Sequence, residues 1–167
     1  GGRLIALENA VAQLARTEWG IRLKEDDAKK EGASENTTDY SLLRKYENRE
    51  RDFLVNHSPG AIYKVELDHT HPLAFGYRDA YYTLKQDDRI YSFFSDNGWN
   101  VGVVKKDNQV AGFVGSQLRE KLRDGLLFGV QPMGRGSVIY LADNPLFRSF
   151  WENGKLLFGN AVFLVGQ

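Results

Sequence analysis

The sequence predicts an α/β fold, and three stretches carry the prediction. Gly125 to Val130 and Ser137 to Ala142 are short apolar runs bounded by turn residues, the pattern of strands covered on both faces. From Phe147 the period changes. Phe147, Phe150, Trp151, Gly154, Phe158, Ala161, Val162 and Val165 recur at three and four, which predicts a helix laid back onto the sheet. At the start of the chain, Arg3 to Leu7 reads as a short strand. It runs through a sharp turn into a helix with Val11, Leu14 and Ala15 on one stripe. Strands followed by packed helices are the logic of an α/β domain.

Between these ends, Arg22 to Asp39 is almost wholly polar and reads as a mobile surface excursion. Leu42, Leu43, Tyr46, Phe53 and Leu54 fit a helix with Glu47 one turn before Arg51, ended by Ser58-Pro59-Gly60. Ala61 to Leu67 alternates as a strand with one wetter face. Asp68 to Asp79 is a loop, and Tyr81 to Leu84 and Ile90 to Phe94 read as short strands. Trp99 to Val104 and Gln109 to Val114 are strands whose connection, Lys106-Asp107-Asn108, has the chemistry of a hairpin turn. Gly115 to Arg123 is a brief helix, and Gly134-Arg135-Gly136 is a second hairpin turn in which glycine supplies positive φ.

Composition narrows the function classes. The 167 residues fit one domain, 1–167. Lys plus Arg and Asp plus Glu both count 22, so no electrostatic footprint favours nucleic acid or anionic membrane. There is no cysteine, which removes thiol nucleophiles, disulfides and iron-sulfur ligation. No apolar run approaches the roughly 20 residues of a membrane span. Gly1-Gly2 leads directly into an apolar run without an initiator Met, as in a chain cut from a longer polypeptide.

Few residues stand where chemistry would be expected. His69 and His71 alternate on one side of an extended segment with Asp68 beside them, but a metal site needs a third ligand that the sequence does not place. The histidine before Pro72 is also a natural loop residue. The corner Glu8-Asn9-Ala10 sits where an α/β enzyme often carries its nucleophile, yet it offers a carboxylate and an amide; the ordinary use of such residues is to cap the helix. Asp143-Asn144-Pro145 lies after a buried strand and before a helix, the edge where ligands sit in α/β sheets. Capping by Asp143 or Asn144, with Arg148 in a local ion pair, is the plainer reading. Trp99, Tyr77, Tyr81 and Tyr82 fit either an aromatic binding surface or the core.

Several segments together carry a resemblance: GGRLIALENAV (1–11), PGAIYKVELDHTHPLAFGY (59–77), GWNVGVV (98–104) with AGFVGS (111–116), and GVQPMGRGSVIYLADNPLFRSFWENGKLLFGNAVF (129–163). They resemble the C-terminal region of bacterial zinc carboxypeptidase-like proteins, a class I glutamine amidotransferase-like domain. The His71-Pro72 loop and the segment around Phe147-Arg148 are also similar to trehalose-utilisation-type domains. The resemblance implies a flavodoxin-like three-layer sandwich lacking its first strands, with a mixed sheet and a C-terminal hairpin plus helix. It does not carry amidotransferase chemistry, because the elbow cysteine of that family is replaced by Glu8-Asn9. Nor does it carry peptidase chemistry, because no HxxE follows His57, His69 or His71. Zinc would belong to an upstream peptidase domain of the same polypeptide, in a parent that the resemblance implies is exported, to the periplasm or beyond.

The resulting expectation is a non-catalytic accessory domain of a metallocarboxypeptidase. The alternative is a carbohydrate- or peptide-binding module at the C-terminal edge of the sheet, using Glu8, Asn9, His71, Asp143, Asn144 and Arg148. An open sheet edge would also allow two copies to pair.

Overall fold

The apolar run from Gly125 to Val130 becomes the centre of the sheet. In the computed structural model, which describes residues 1–24, 43 and 45–166, strand β6 (Gly125–Met133) is buried from Gly125 through Gln131. Two neighbours flank it, β7 (Gly136–Leu141) and β4 (Trp99–Val104). The remaining strands are β1 (Arg3–Leu7), β2 (Gly60–Leu67), β3 (Ala80–Lys85) and β5 (Gln109–Phe113). The hydrogen-bonded order is β1-β7-β6-β4-β2-β3, with β5 also on β2. β1 pairs with β7 in parallel, Arg3 beside Ser137 and Leu7 beside Leu141, and the other pairings are antiparallel. The protein is thus a mixed α/β fold with an open, mixed seven-stranded sheet.

The described residues form four α-helices: α1 (Asn9–Leu14), α2 (Arg49–Val55), α3 (Ser116–Lys121) and α4 (Glu152–Phe163). Short 3-10 turns cover Tyr46–Asn48, Pro72–Ala74 and Phe147–Ser149. The helix expected from Phe147 starts later. Arg148 and Ser149 adopt positive φ, 49° and 60°, which breaks the helical path, and α4 begins at Glu152. Its buried face is Gly154, Leu157, Asn160 and Ala161, so Leu157 takes the place predicted for Phe158. At Gly154 an added Cβ would lie 1.8 Å from the Pro145 carbonyl oxygen, so only glycine lets α4 approach the loop after β7 this closely. Asn160 is buried because its Nδ2 donates to the carbonyls of Leu73, at 3.0 Å, and Phe75, at 2.7 Å. These bonds tie α4 to the loop after β2.

Other expectations need correction. Trp99–Val104 and Gln109–Phe113 do not form a hairpin with one another. Both run antiparallel to β2 on the edge opposite β3, one after the other, so residues 105–108 bulge out of one long path. The bulge is anchored where Lys64 N–H donates to the Asn108 carbonyl at 2.7 Å. Residues 90–94 are no strand; Tyr91 makes only isolated bridges to Leu23 and Leu126. The start of the predicted polar excursion is therefore fixed, since Arg22, Leu23 and Lys24 pair with residues 90–92. The rest of that excursion, residues 25–39, lies outside the described residues, as do 40–42 and 44 of the helix expected next. The described part of that helix starts at Tyr46, and Glu47 pairs with Lys45 at 3.6 Å rather than with Arg51. The β6–β7 turn agrees with expectation: Met133 faces Gly136, leaving Gly134-Arg135 as a two-residue loop with Gly134 at φ 57°.

The sheet is strongly coiled. Four strand spacings would separate β3 from β7 by about 19 Å in a flat sheet. Instead Thr83 and Lys85 of β3 touch Asp143, just beyond β7, and Trp151 Nε1 donates to the Tyr82 carbonyl at 2.8 Å. Side chains close what the backbone ladder leaves open.

Candidate functional site

β1 and β7 are parallel neighbours, so their C-terminal ends emerge side by side, and the residues that follow each of them meet. After β1 comes Glu8, with φ 46° and ψ −112°, outside the regions open to an ordinary side chain. The chain enforces that geometry. Glu8 N–H donates to the Leu141 carbonyl at 3.0 Å, while its own carbonyl accepts from Ala12 N–H at 3.3 Å. A strained residue between a strand and a helix is the form of a nucleophile elbow, here carrying a carboxylate. The capping expected of Glu8 and Asn9 does not occur: Glu8 makes no side-chain cap bond, and Asn9 is the first residue of α1. Asn9 Oδ1 instead accepts from the Arg89 guanidinium.

After β7 comes Asp143, which is 5% exposed. Its Oδ1 lies 2.8 Å from Lys85 Nζ and its Oδ2 accepts from Thr83 Oγ1 at 2.8 Å, so both oxygens are taken. Lys85 is 2% exposed and also binds Asp87. Arg89 completes the chain of charges, with its backbone N–H 3.2 Å from Asp87 Oδ1 and Nη1 3.8 Å from Asp87 Oδ2. Burial alone would lower the Lys85 pKa, but the Asp143 and Asp87 carboxylates overcome it and hold the ammonium above its usual range. Burial pushes the Asp143 carboxyl up, against the pull of Lys85. Burial thus prevails at Asp143, whereas the two carboxylates prevail at Lys85.

These groups frame a cleft of about 190 Å³. Glu8, Asn9, Gln86, Asp87, Arg89, Asp143 and Asn144 line it, and Phe147 and Leu84 supply apolar surface. Asn144 Oδ1 accepts from Leu146 N–H at 2.8 Å, so it caps the turn that follows. Four of the six residues expected at a ligand site therefore share one cleft. Arg148 does not line it, and it forms no ion pair with Asp143; its guanidinium stacks 5.2 Å from the Phe147 ring centroid.

His71 lies elsewhere. It borders a groove of about 330 Å³ at the other ends of the same two strands, with Arg3, Trp99, Arg135 and Ser137. Leu73 N–H donates to His71 Nδ1 at 3.0 Å, and burial lowers the His71 pKa. The neighbouring Asp68 Oδ1 accepts from Thr70 N–H at 3.0 Å and Thr70 Oγ1 at 2.6 Å, and these bonds hold its carboxyl below the usual range. Asp68 and His71 thus stabilise their own loop, His69 is exposed, and no group of three or more His, Cys, Asp or Glu capable of holding a metal is found among the described residues. The aromatic set divides as well: Tyr81 is core, whereas Trp99 and Tyr82 are exposed.

Lys85, Asp87 and Arg89 escaped the sequence reading. The signal for Lys85 was its parity, since Tyr81, Thr83 and Lys85 alternate on the buried face of β3. A larger groove of about 730 Å³ runs beside α2 from Lys45 to His57, but it is mainly apolar and has no comparable set of converging buried charges. Among the described residues no helix is long and apolar enough to cross a membrane. No family model, curated protein or solved structure matches the chain.

Proposed function

We propose that the chain is a non-catalytic accessory domain that holds a small polar ligand in the cleft at Glu8, within a zinc carboxypeptidase-like protein whose upstream domain carries the zinc and the peptide hydrolysis. The observation that carries this reading is the strained elbow occupied by an exposed carboxylate. The fold maintains a conformation costing about 1–3 kcal/mol at a position that has neither a thiol nor a hydroxyl to attack an acyl group. Such strain persists where a side chain must be presented, and in this reading Glu8 is presented as a ligand contact.

The parallel β1–β7 pair and the elbow between β1 and α1 support reading the fold as the later part of a flavodoxin-like, amidotransferase-type sandwich. The antiparallel pairing of the other strands weighs against extending that pattern further. In this reading the ligand is a carbohydrate or peptide, the parent is exported, and β1 is the edge along which a second copy would pair.

The test is a titration of the isotope-labelled chain with mono- and disaccharides and with short peptides, followed by amide chemical shifts. Shifts centred on Asn9, Gln86 and Arg89 are expected. Shifts confined to the His71–Trp99 groove would displace the reading. Hydrolysis of glutamine or peptide by this chain, lost in Glu8→Gln, would overturn its non-catalytic part.

A further inference from the structure

The charges around the elbow cleft do not cancel, and the imbalance has one owner. Lys85 neutralises Asp143, whose two oxygens are both engaged. Asp87 is shared between Lys85 and Arg89, and the same Arg89 Nη1 also donates to Asn9 Oδ1. Two cations therefore meet two carboxylates, and the Glu8 carboxylate is left with no hydrogen bond or ion pair among the described residues. Arg148, the nearest further cation in sequence, stacks on Phe147 and does not line the cleft.

We propose that the elbow cleft is an ammonium-binding site, in which the Glu8 carboxylate is the counter-ion of a primary amine on a small polar ligand. The inference rests on the cleft reading above and names the chemistry of its occupant. A single unpaired carboxylate disfavours an anion and favours a cation over a neutral polyol of the same shape. The strained backbone, bonded at both its N–H and its carbonyl, fixes the direction in which the Glu8 side chain leaves the main chain, and its own torsions are ordered when an amine arrives. A cleft of about 190 Å³ is below the ordinary range of about 300–1,000 Å³ for drug-sized ligands, so it takes one terminal unit rather than an extended chain. Asn144 spends its oxygen on Leu146, and its amide hydrogens can serve hydroxyl or carbonyl groups beside the amine.

A primary amine of this kind occurs at the start of a peptide and on an amino sugar, and one experiment separates the two. The full chain is titrated with glycinamide, glucosamine, glucose and acetate, and amide shifts of the cleft are followed. Glycinamide or glucosamine is expected to bind, the stronger one identifying the source. Glucose is expected to bind about tenfold or more weakly than glucosamine, and acetate not at all. Glu8→Gln should reduce amine binding by about tenfold or more, and Glu8→Gly should do the same without the strained side chain. Equal binding of glucose and glucosamine, or undiminished amine binding by both Glu8 variants, overturns the ammonium assignment. Cleft shifts with neutral ligands alone would leave the cleft reading standing, and no cleft shifts with any of the four, or with the saccharides and peptides above, would remove both.

Discussion

The two ends of the β1–β7 pair are built differently. At the C-terminal ends a small cleft rests on buried charges and a strained backbone; at the N-terminal ends a wider groove is walled by the exposed Trp99 and by His71. In the first, every buried charge has a partner and the free carboxylate stands at the strained residue. In the second, the histidine is spent on its own loop. The difference separates polar residues that maintain a fold from one that the fold maintains.

The contrast is broken most directly at Lys85. Lys85→Met should destabilise the protein by about 3–5 kcal/mol in chemical denaturation, because Asp143 would remain buried without its cation. A loss below about 1 kcal/mol would mean that the clamp is dispensable. Next in size is the elbow. Glu8→Gly should raise stability by about 1 kcal/mol, since glycine accepts a backbone that strains glutamate, although the gain is reduced by glycine's freer unfolded chain. In the opposite groove Trp99→Ala should change stability by no more than about 0.5 kcal/mol, because its side chain is 59% exposed. A loss there exceeding that of Lys85→Met would reverse the ranking of the two ends.

The two ends should also fail at opposite limits of pH. Lys85 is raised in the fold, so its contribution is complete below its ordinary value of 10.5 and disappears as pH climbs through the folded value. His71 is lowered, so its contribution is complete above its ordinary value of 6.5 and falls as pH drops below that value. Denaturation midpoints measured against pH should therefore show an alkaline limb, shared with the tyrosines whose pKa values burial raises, that Lys85→Met reduces. An acid limb, shared with carboxylates such as Asp68 whose pKa values are lowered, should be reduced by His71→Gln.

Much of the centre was legible because one signal sufficed. Gly125 to Val130 and Val138 to Leu141 are apolar without interruption, and an internal strand covered on both faces accommodates that. The corner at Glu8 was legible as a position, but not as a strained one, since φ is set by the bonds to Leu141 and Ala12. The bulge at 105–108 was misread because its turn residues suit reversal and excursion alike. What decides between them is β2, which accepts β4 and β5 on the same edge. The clamp was hidden for a related reason. Lys85 and Asp143 belong to segments that no local pattern connects, and only the coil of the sheet brings them together.

The parallel β1–β7 pair also bears on the order in which the molecule assembles. Arg3 and Ser137 lie far apart in sequence, so β1 closes the largest loop in the sheet and is expected to gain its neighbour last. An element that docks last and lies at an edge is the first to detach in partial opening. Amide hydrogen exchange should therefore find Ile5 to Leu7 less protected than Leu126 to Val130, and an occupant of the elbow cleft should slow exchange throughout β1. Occupancy and the completeness of the sheet would then be a single equilibrium.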